Sequence, residues 1–175
     1  METDQAIRDR LTGQPLPVLA LPSTAGGTVD ISARPAARSV IYAYPRTSEP
    51  GQPAPEGWDM IPGARGCTPQ ACAFRDHHRE LAALGAEVFG LSTQPTRYQQ
   101  EMAERLHLPF PVLSDAELRL TDALDLPSFT ADGMRLLRRL TLILRGPRIE
   151  AVLYPVPVPE QSAEDVIAWL KAHPL

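Results

Sequence analysis

The sequence predicts an α/β domain: a central mixed sheet flanked by helices on both faces, entered through an N-terminal β-hairpin. Three observations predict it. Short apolar, β-branched runs alternate with segments of helical period through the middle of the chain. Two strand candidates about Gly146-Pro147 then precede a closing helix. The 175 residues, 43% hydrophobic and 22% charged, suit one domain, 1–175, with its own core.

Taken in order, residues 4–12 read as a short amphipathic helix with Ile7 and Leu11 four apart. Val18–Leu21 and Thr28–Ile31 are strand candidates joined at Gly26-Gly27, a hairpin signal. SVIYAY, 39–44, has the composition of a central strand, and Pro45 ends it. Residues 45–66 are rich in proline and glycine and show no period. So long an insertion is uncommon inside a compact domain. It is either part of a functional or mobile loop or a surface cover that lays Trp58 on something apolar. A helix follows, with Thr68 as its cap and Pro69 at its first position. Its apolar stripe is Cys67, Ala71, Phe74, His78 and Leu81, and Gly85 ends it.

AEVFGLS (86–92) is the next buried strand, trailed by a polar helix to about residue 106. PVLSD (111–115) is a short strand before a helix through Leu124. RRLTLIL (138–144) and IEAVLYPV (149–156) form the last strands. A helix from Ala163 to Ala172 presents Val166, Trp169 and Leu170.

The net charge of −4 gives no electrostatic basis for nucleic acid or an anionic membrane as partner. No run approaches the ~20 apolar residues of a membrane helix. The first residues lack the basic-then-apolar pattern of a secretory signal, so the expected location is cytoplasmic. Two nearby cysteines in that compartment point to redox chemistry or a metal rather than a structural disulfide.

The chemistry concentrates in GARGCTPQACAFRDHH, 63–78. Cys67 follows Gly66 at a helix N-terminus, where free amides and the helix dipole stabilise a thiolate, the reactive form of the residue. Without that setting a free cysteine is an inert small hydrophobe. Metal binding by Cys67, Cys72, His77 and His78 is disfavoured. Offsets of five and ten at ~100° per residue point to different helix faces, and common zinc patterns place cysteines two to four apart. His78 reads as a core histidine and His77 as solvated. Disulfide reductases of the thioredoxin type space their cysteines by two residues, and here four intervene.

GCTPQACAFRD resembles the active-site segment of the Q-type, or bacterioferritin-comigratory-protein-like, peroxiredoxins. LPVLALPSTAGGTVDIS, SVIYAYP, FGLS, PFPVLSD and RLTLIL resemble other segments of that family in the same order, so the likeness spans most of the chain. The resemblance implies a thioredoxin-like fold, in keeping with the closing hairpin and helix. It also implies peroxide reduction with Cys67 as peroxidatic and Cys72 as resolving cysteine, forming an intramolecular disulfide. Arg139, two residues before Thr141, falls where the family carries its arginine, and Ala64, Arg65 and Gly66 fall in the substrate-binding turn. No metal or organic cofactor is implied. The expected partners are hydrogen peroxide or a small organic hydroperoxide and a thioredoxin-like reductant, with the chain a monomer or weak homodimer.

Two positions depart from the family's P-x-x-x-T-x-x-C pattern: Met60 stands at the proline and Ala64 at the threonine. Alanine cannot hydrogen-bond a peroxide. Backbone amides around Gly63 to Gly66 are one substitute. The alternative is a weakly active or non-enzymatic thiol sensor on the same scaffold.

Overall fold

The computed structural model describes residues 2–48, 52–61 and 63–175; positions 49–51 and 62 of the expected 45–66 insertion lie outside that set. Helix α1, Asp4–Leu11, starts where Thr3 Oγ1 accepts the Ala6 amide at 3.0 Å, and it buries Ile7 and Leu11. The N-terminal hairpin pairs β1, Leu21–Pro22, with β2, Thr28–Val29. These strands are shorter than expected. Val18 lies outside them, 81% exposed, because pairing stops once Leu21 has reached the core.

Five strands build the main sheet: β3 (Arg38–Ala43), β4 (Ala86–Ser92), β5 (Val112–Ser114), β8 (Leu140–Arg145) and β9 (Arg148–Leu153), in the order β5-β4-β3-β8-β9. β3, β4 and β5 run parallel, while β8 is antiparallel to both β3 and β9. Side chains alternate across this sheet. Ile41, Ala43, Phe89, Leu91, Leu142 and Leu144 pack beneath α1 and α5 (Arg119–Leu124). Val40, Tyr42, Tyr44, Val88 and Ile143 pack on the other face. That second layer consists of α2 (Cys67–Asp76), α3 (His78–Ala83), α4 (Thr96–Arg105) and α6 (Ser162–Ala172). Gly90 makes room for the Tyr42 ring, since an added Cβ would lie 3.1 Å from its hydroxyl. The ring stacks on Phe74 with centroids 4.5 Å apart.

Four expectations need correction. The helix after the insertion begins at Cys67, with Gly66 rather than Thr68 before it, and Pro69 is its third residue. Proline is tolerated there because the first-turn amides have no intrahelical acceptors. The single helix expected up to Gly85 divides at His77 into α2 and α3. His78 is only half-buried and stacks at 6.1 Å on Phe110, so it is not a core histidine. A further hairpin joins β6, Ser128–Ala131, to β7, Met134–Leu137, around Asp132 and Gly133, both with positive φ. That hairpin is absent from the sequence reading.

Candidate active site

Cys67 is the first residue of α2, where the main-chain amides of the opening turn converge. Gly66 makes this placement possible in two ways. Its φ of +105° lies in the left-handed region, and an added Cβ would come within 2.7 Å of Pro159. The turn Pro159–Gln161 thus presses directly on the start of the helix.

Arg139 precedes β8 and is buried, 3% exposed. Its Nη2 lies 3.2 Å from Cys67 Sγ. The same nitrogen faces the carbonyl oxygens of Gly63, Ala64 and Arg65 at 3.2, 3.3 and 3.0 Å. Two hydrogens are therefore shared among four acceptors, a cage that ties the end of the insertion to the guanidinium. Arg139 Nη1 donates to Gln70 Oε1 at 2.6 Å, and Gln70 Nε2 donates to Ser162 Oγ at 3.0 Å. This relay, wholly interior, joins α2, β8 and α6.

The turn before Cys67 turns its carbonyls toward Arg139, and of the amides around Gly63 to Gly66 that of Ala64 is committed to Ile61 O at 3.1 Å. The Arg65 side chain is 74% exposed and pairs with Asp59, so only its carbonyl belongs to the site. Ala64 is buried and presents no polar side chain to the thiol. Arg138 turns away and lays its guanidinium 5.3 Å over the Phe129 ring. His77 sits between Glu80 and Glu164, at 3.4 and 3.7 Å.

Cys67 opens onto a cavity of ≈ 180 Å³ whose wall includes Arg46, Thr47, Trp58, Ala64 and Thr68. Trp58 also lies 6.1 Å from Phe129, so the insertion covers apolar surface and lines the cavity at once. Thr47 is buried and locked from behind. Gln94 Oε1 accepts its amide at 3.0 Å, and Gln94 Nε2 donates to its carbonyl at 2.9 Å. Tyr42, Tyr44 and Thr141 project from the sheet face beneath α2, and no hydrogen-bond partner reaches the Tyr42 and Thr141 hydroxyls among the described residues. Burial pushes the Tyr42 and Tyr44 phenols well up, and the Ser92 hydroxyl offsets part of that effect at Tyr44. A charge on Cys67 raises both further. Both phenols keep their protons at neutral pH and remain available as donors.

Cys72 is half-buried on the same helix, and both thiols are free. Residues five apart on a helix have Cα atoms ~8–9 Å apart, beyond the ~7 Å that a disulfide tolerates. Missing from the sequence reading are Gln70, Ser162, Thr47, Arg46 and Gln94. Gln70 had a signal: it is a polar residue on the buried stripe, three after Cys67 and four before Phe74.

The Redoxin family profile matches residues 11–167. Peroxiredoxin Bcp of Bacillus subtilis is 32% identical over 156 residues, covering 87% of this chain and 90% of that protein. The chloroplastic peroxiredoxin Q of Populus jackii is 34% identical over 103 residues, 59% of this chain and 41% of its own length. Among solved structures, peroxidoxin BcpB of Mycobacterium tuberculosis superposes with a TM-score of 0.76 at 25% identity, covering 94% of this chain and 98% of that one. Peroxiredoxin Q of Xanthomonas campestris gives 0.69 at 25% identity, with 89% and 90% covered. The fold is thioredoxin-like, and with a thiol at the head of α2 under a buried arginine, the chain belongs to the redoxin family as a peroxiredoxin of the Bcp and Q kind, a thiol peroxidase.

Proposed function

We propose that Cys67 reduces hydrogen peroxide or a small organic hydroperoxide and that Cys72 resolves the product. The observation that carries this reading is the 3.2 Å contact between Arg139 Nη2 and Cys67 Sγ at a helix N-terminus. A fixed cation and convergent amides favour the thiolate and the negative charge that develops on the departing oxygen. The thiolate attacks one peroxide oxygen, the O–O bond breaks, and the other oxygen leaves with a proton as water or alcohol. Sulfur is oxidised by two electrons to the sulfenic acid. The Cys72 thiol then displaces water to form the disulfide, and a thioredoxin-like dithiol returns both residues to thiols. Thr47 lines the same cavity as Cys67 and is a candidate hydroxyl donor to the peroxide where Ala64 offers none.

Peroxide consumption with a dithiol reductant tests the proposal against the alternative of a thiol sensor. Wild type is expected to turn over. Cys67→Ser is expected to be inactive, since serine is a poor nucleophile toward peroxide. Equal turnover in the two proteins refutes the assignment, and a single stoichiometric oxidation without turnover establishes the sensor.

A further inference from the structure

In-line attack of a thiolate on a peroxide sends the departing oxygen to the side away from sulfur, into the body of the cavity. Negative charge builds on that oxygen as the O–O bond lengthens, so a donor is required on the cavity wall. Arg139 is badly placed to be that donor. Its Nη2 sits 3.2 Å from Cys67 Sγ and already divides two hydrogens among the sulfur and three carbonyls. Nor does Arg139 take part in the wall of the ≈ 180 Å³ cavity, and Ala64 has no polar side chain to give. Among the described residues that wall carries one cationic side chain, Arg46.

Arg46 stands just past the carboxyl end of β3, two residues beyond Tyr44, whose amide bonds to Leu91 O at 3.0 Å. Gln94 grips the amide and the carbonyl of the next residue, Thr47, so the backbone that carries Arg46 is fixed. The guanidinium itself is lightly engaged. Its Nη2 meets Ser48 Oγ at 3.4 Å, and its Nε is buried with no partner among the described residues. We propose that Arg46 is a catalytic residue: it takes the charge of the departing peroxide oxygen while Arg139 holds the sulfur. The inference rests on the reading of Cys67 as nucleophile. The thiolate bonds to one oxygen, the O–O bond breaks, and the proton of the attacked oxygen passes to the departing one. Water or an alcohol leaves, with sulfenate on Cys67, and Arg46 keeps its own protons throughout.

The leaving group separates this role from a structural one. Hydrogen peroxide releases hydroxide, the base of an acid of pKa roughly 16. Peracetic acid releases acetate, whose acid has a pKa of about 4 and which needs little help to leave. Stopped-flow rates of Cys67 oxidation by the two should therefore respond unequally. Arg46→Gln should lose roughly 10- to 100-fold with hydrogen peroxide, the scale of one charge-assisted hydrogen bond, and about threefold or less with peracetic acid. Arg46→Lys keeps the charge without the fork and should fall between wild type and Arg46→Gln with hydrogen peroxide. A disturbed fold or a smaller thiolate fraction lowers both rates by one factor. A loss no greater with hydrogen peroxide than with peracetic acid therefore overturns the inference. Cys67→Ser distinguishes the two failures. If that variant consumes hydrogen peroxide as fast as wild type, the nucleophile reading falls and the inference with it. Consumption that needs Cys67, with equal losses for both oxidants in Arg46→Gln, sinks the inference alone.

Discussion

Formation of a Cys67–Cys72 disulfide should require the first turn of α2 to open, and Gln70 should set how readily it does so. Helical residues five apart stand ~8–9 Å apart at Cα, against a limit of ~7 Å. Helix ends usually fray at little cost, but this one is fastened to the interior. Opening breaks the Arg139–Gln70 bond at 2.6 Å and the Gln70–Ser162 bond at 3.0 Å. A charge-assisted bond contributes ~1.5–3 kcal/mol and a neutral one ~1 kcal/mol, together about 2.5–4 kcal/mol, or roughly 10²- to 10³-fold in favour of the closed turn. Gln70→Ala removes both bonds and should speed disulfide formation from the sulfenic acid at least tenfold. Ser162→Ala removes the weaker bond and should speed it roughly fivefold. Rapid-quench alkylation after one equivalent of peroxide, with a sulfenic-acid trap in parallel, separates this step from the initial oxidation. Thermal unfolding followed by circular dichroism verifies that each variant is folded. Hydrogen exchange on the disulfide form should show faster exchange across residues 70–76 and unchanged protection in β4. A folded Gln70→Ala that closes its disulfide no faster than wild type refutes the reasoning, as does a verified bond with unchanged exchange. Disulfides joining two chains would show that Cys72 does not resolve its own subunit.

Arg139→Ala should slow sulfenic acid formation by ~100-fold or more. A cation 3.2 Å from a thiolate attracts it by about 5 kcal/mol at an effective dielectric constant near 20, before the cost of desolvating the pair. Arg138→Ala, whose guanidinium lies over Phe129, should leave that rate within a few-fold of wild type. A larger loss in the Arg138 variant, read by stopped flow, reverses the assignment. Thr47→Val should slow peroxide reduction about tenfold if its hydroxyl orients the substrate, and adding Ala64→Thr should recover part of the loss. Full activity in Thr47→Val would assign the donor role elsewhere, with the Tyr44 phenol next to be tested.

Much of the architecture is legible in the sequence because it depends on patterns within single segments. SVIYAY and AEVFGLS are too apolar to lie anywhere but between two helical layers, and Ile7 and Leu11 mark the side of α1 that meets the sheet. The hairpin at 128–137 was legible in principle. Asp132-Gly133 is a strong two-residue turn, but SFTA and MRLL alternate too weakly to stand out as strands. The division of the helix at His77 has no such mark, since neither glycine nor proline stands there. Site composition follows the same rule. Cys67 announces itself through its neighbours in sequence, whereas Thr47 and Gln94 meet only because β3 and β4 end side by side. The Arg65 side chain could not be placed from sequence, because its carbonyl faces Arg139 while its guanidinium pairs with Asp59 in solvent, a split that only the folded turn shows.

The two tryptophans of the chain occupy unlike surroundings. Trp169 stacks on His173 at 4.1 Å with the Arg38 guanidinium 5.1 Å above it, on α6 and away from the Cys67 cavity. Trp58 forms part of the cavity wall. Oxidation of Cys67 is therefore expected to alter the emission of the Trp58 indole and to leave that of Trp169 unchanged, so that Trp169→Phe should keep the full fluorescence response to one equivalent of peroxide and make it an optical gauge of oxidation without an attached dye; a response that disappears in Trp169→Phe refutes this.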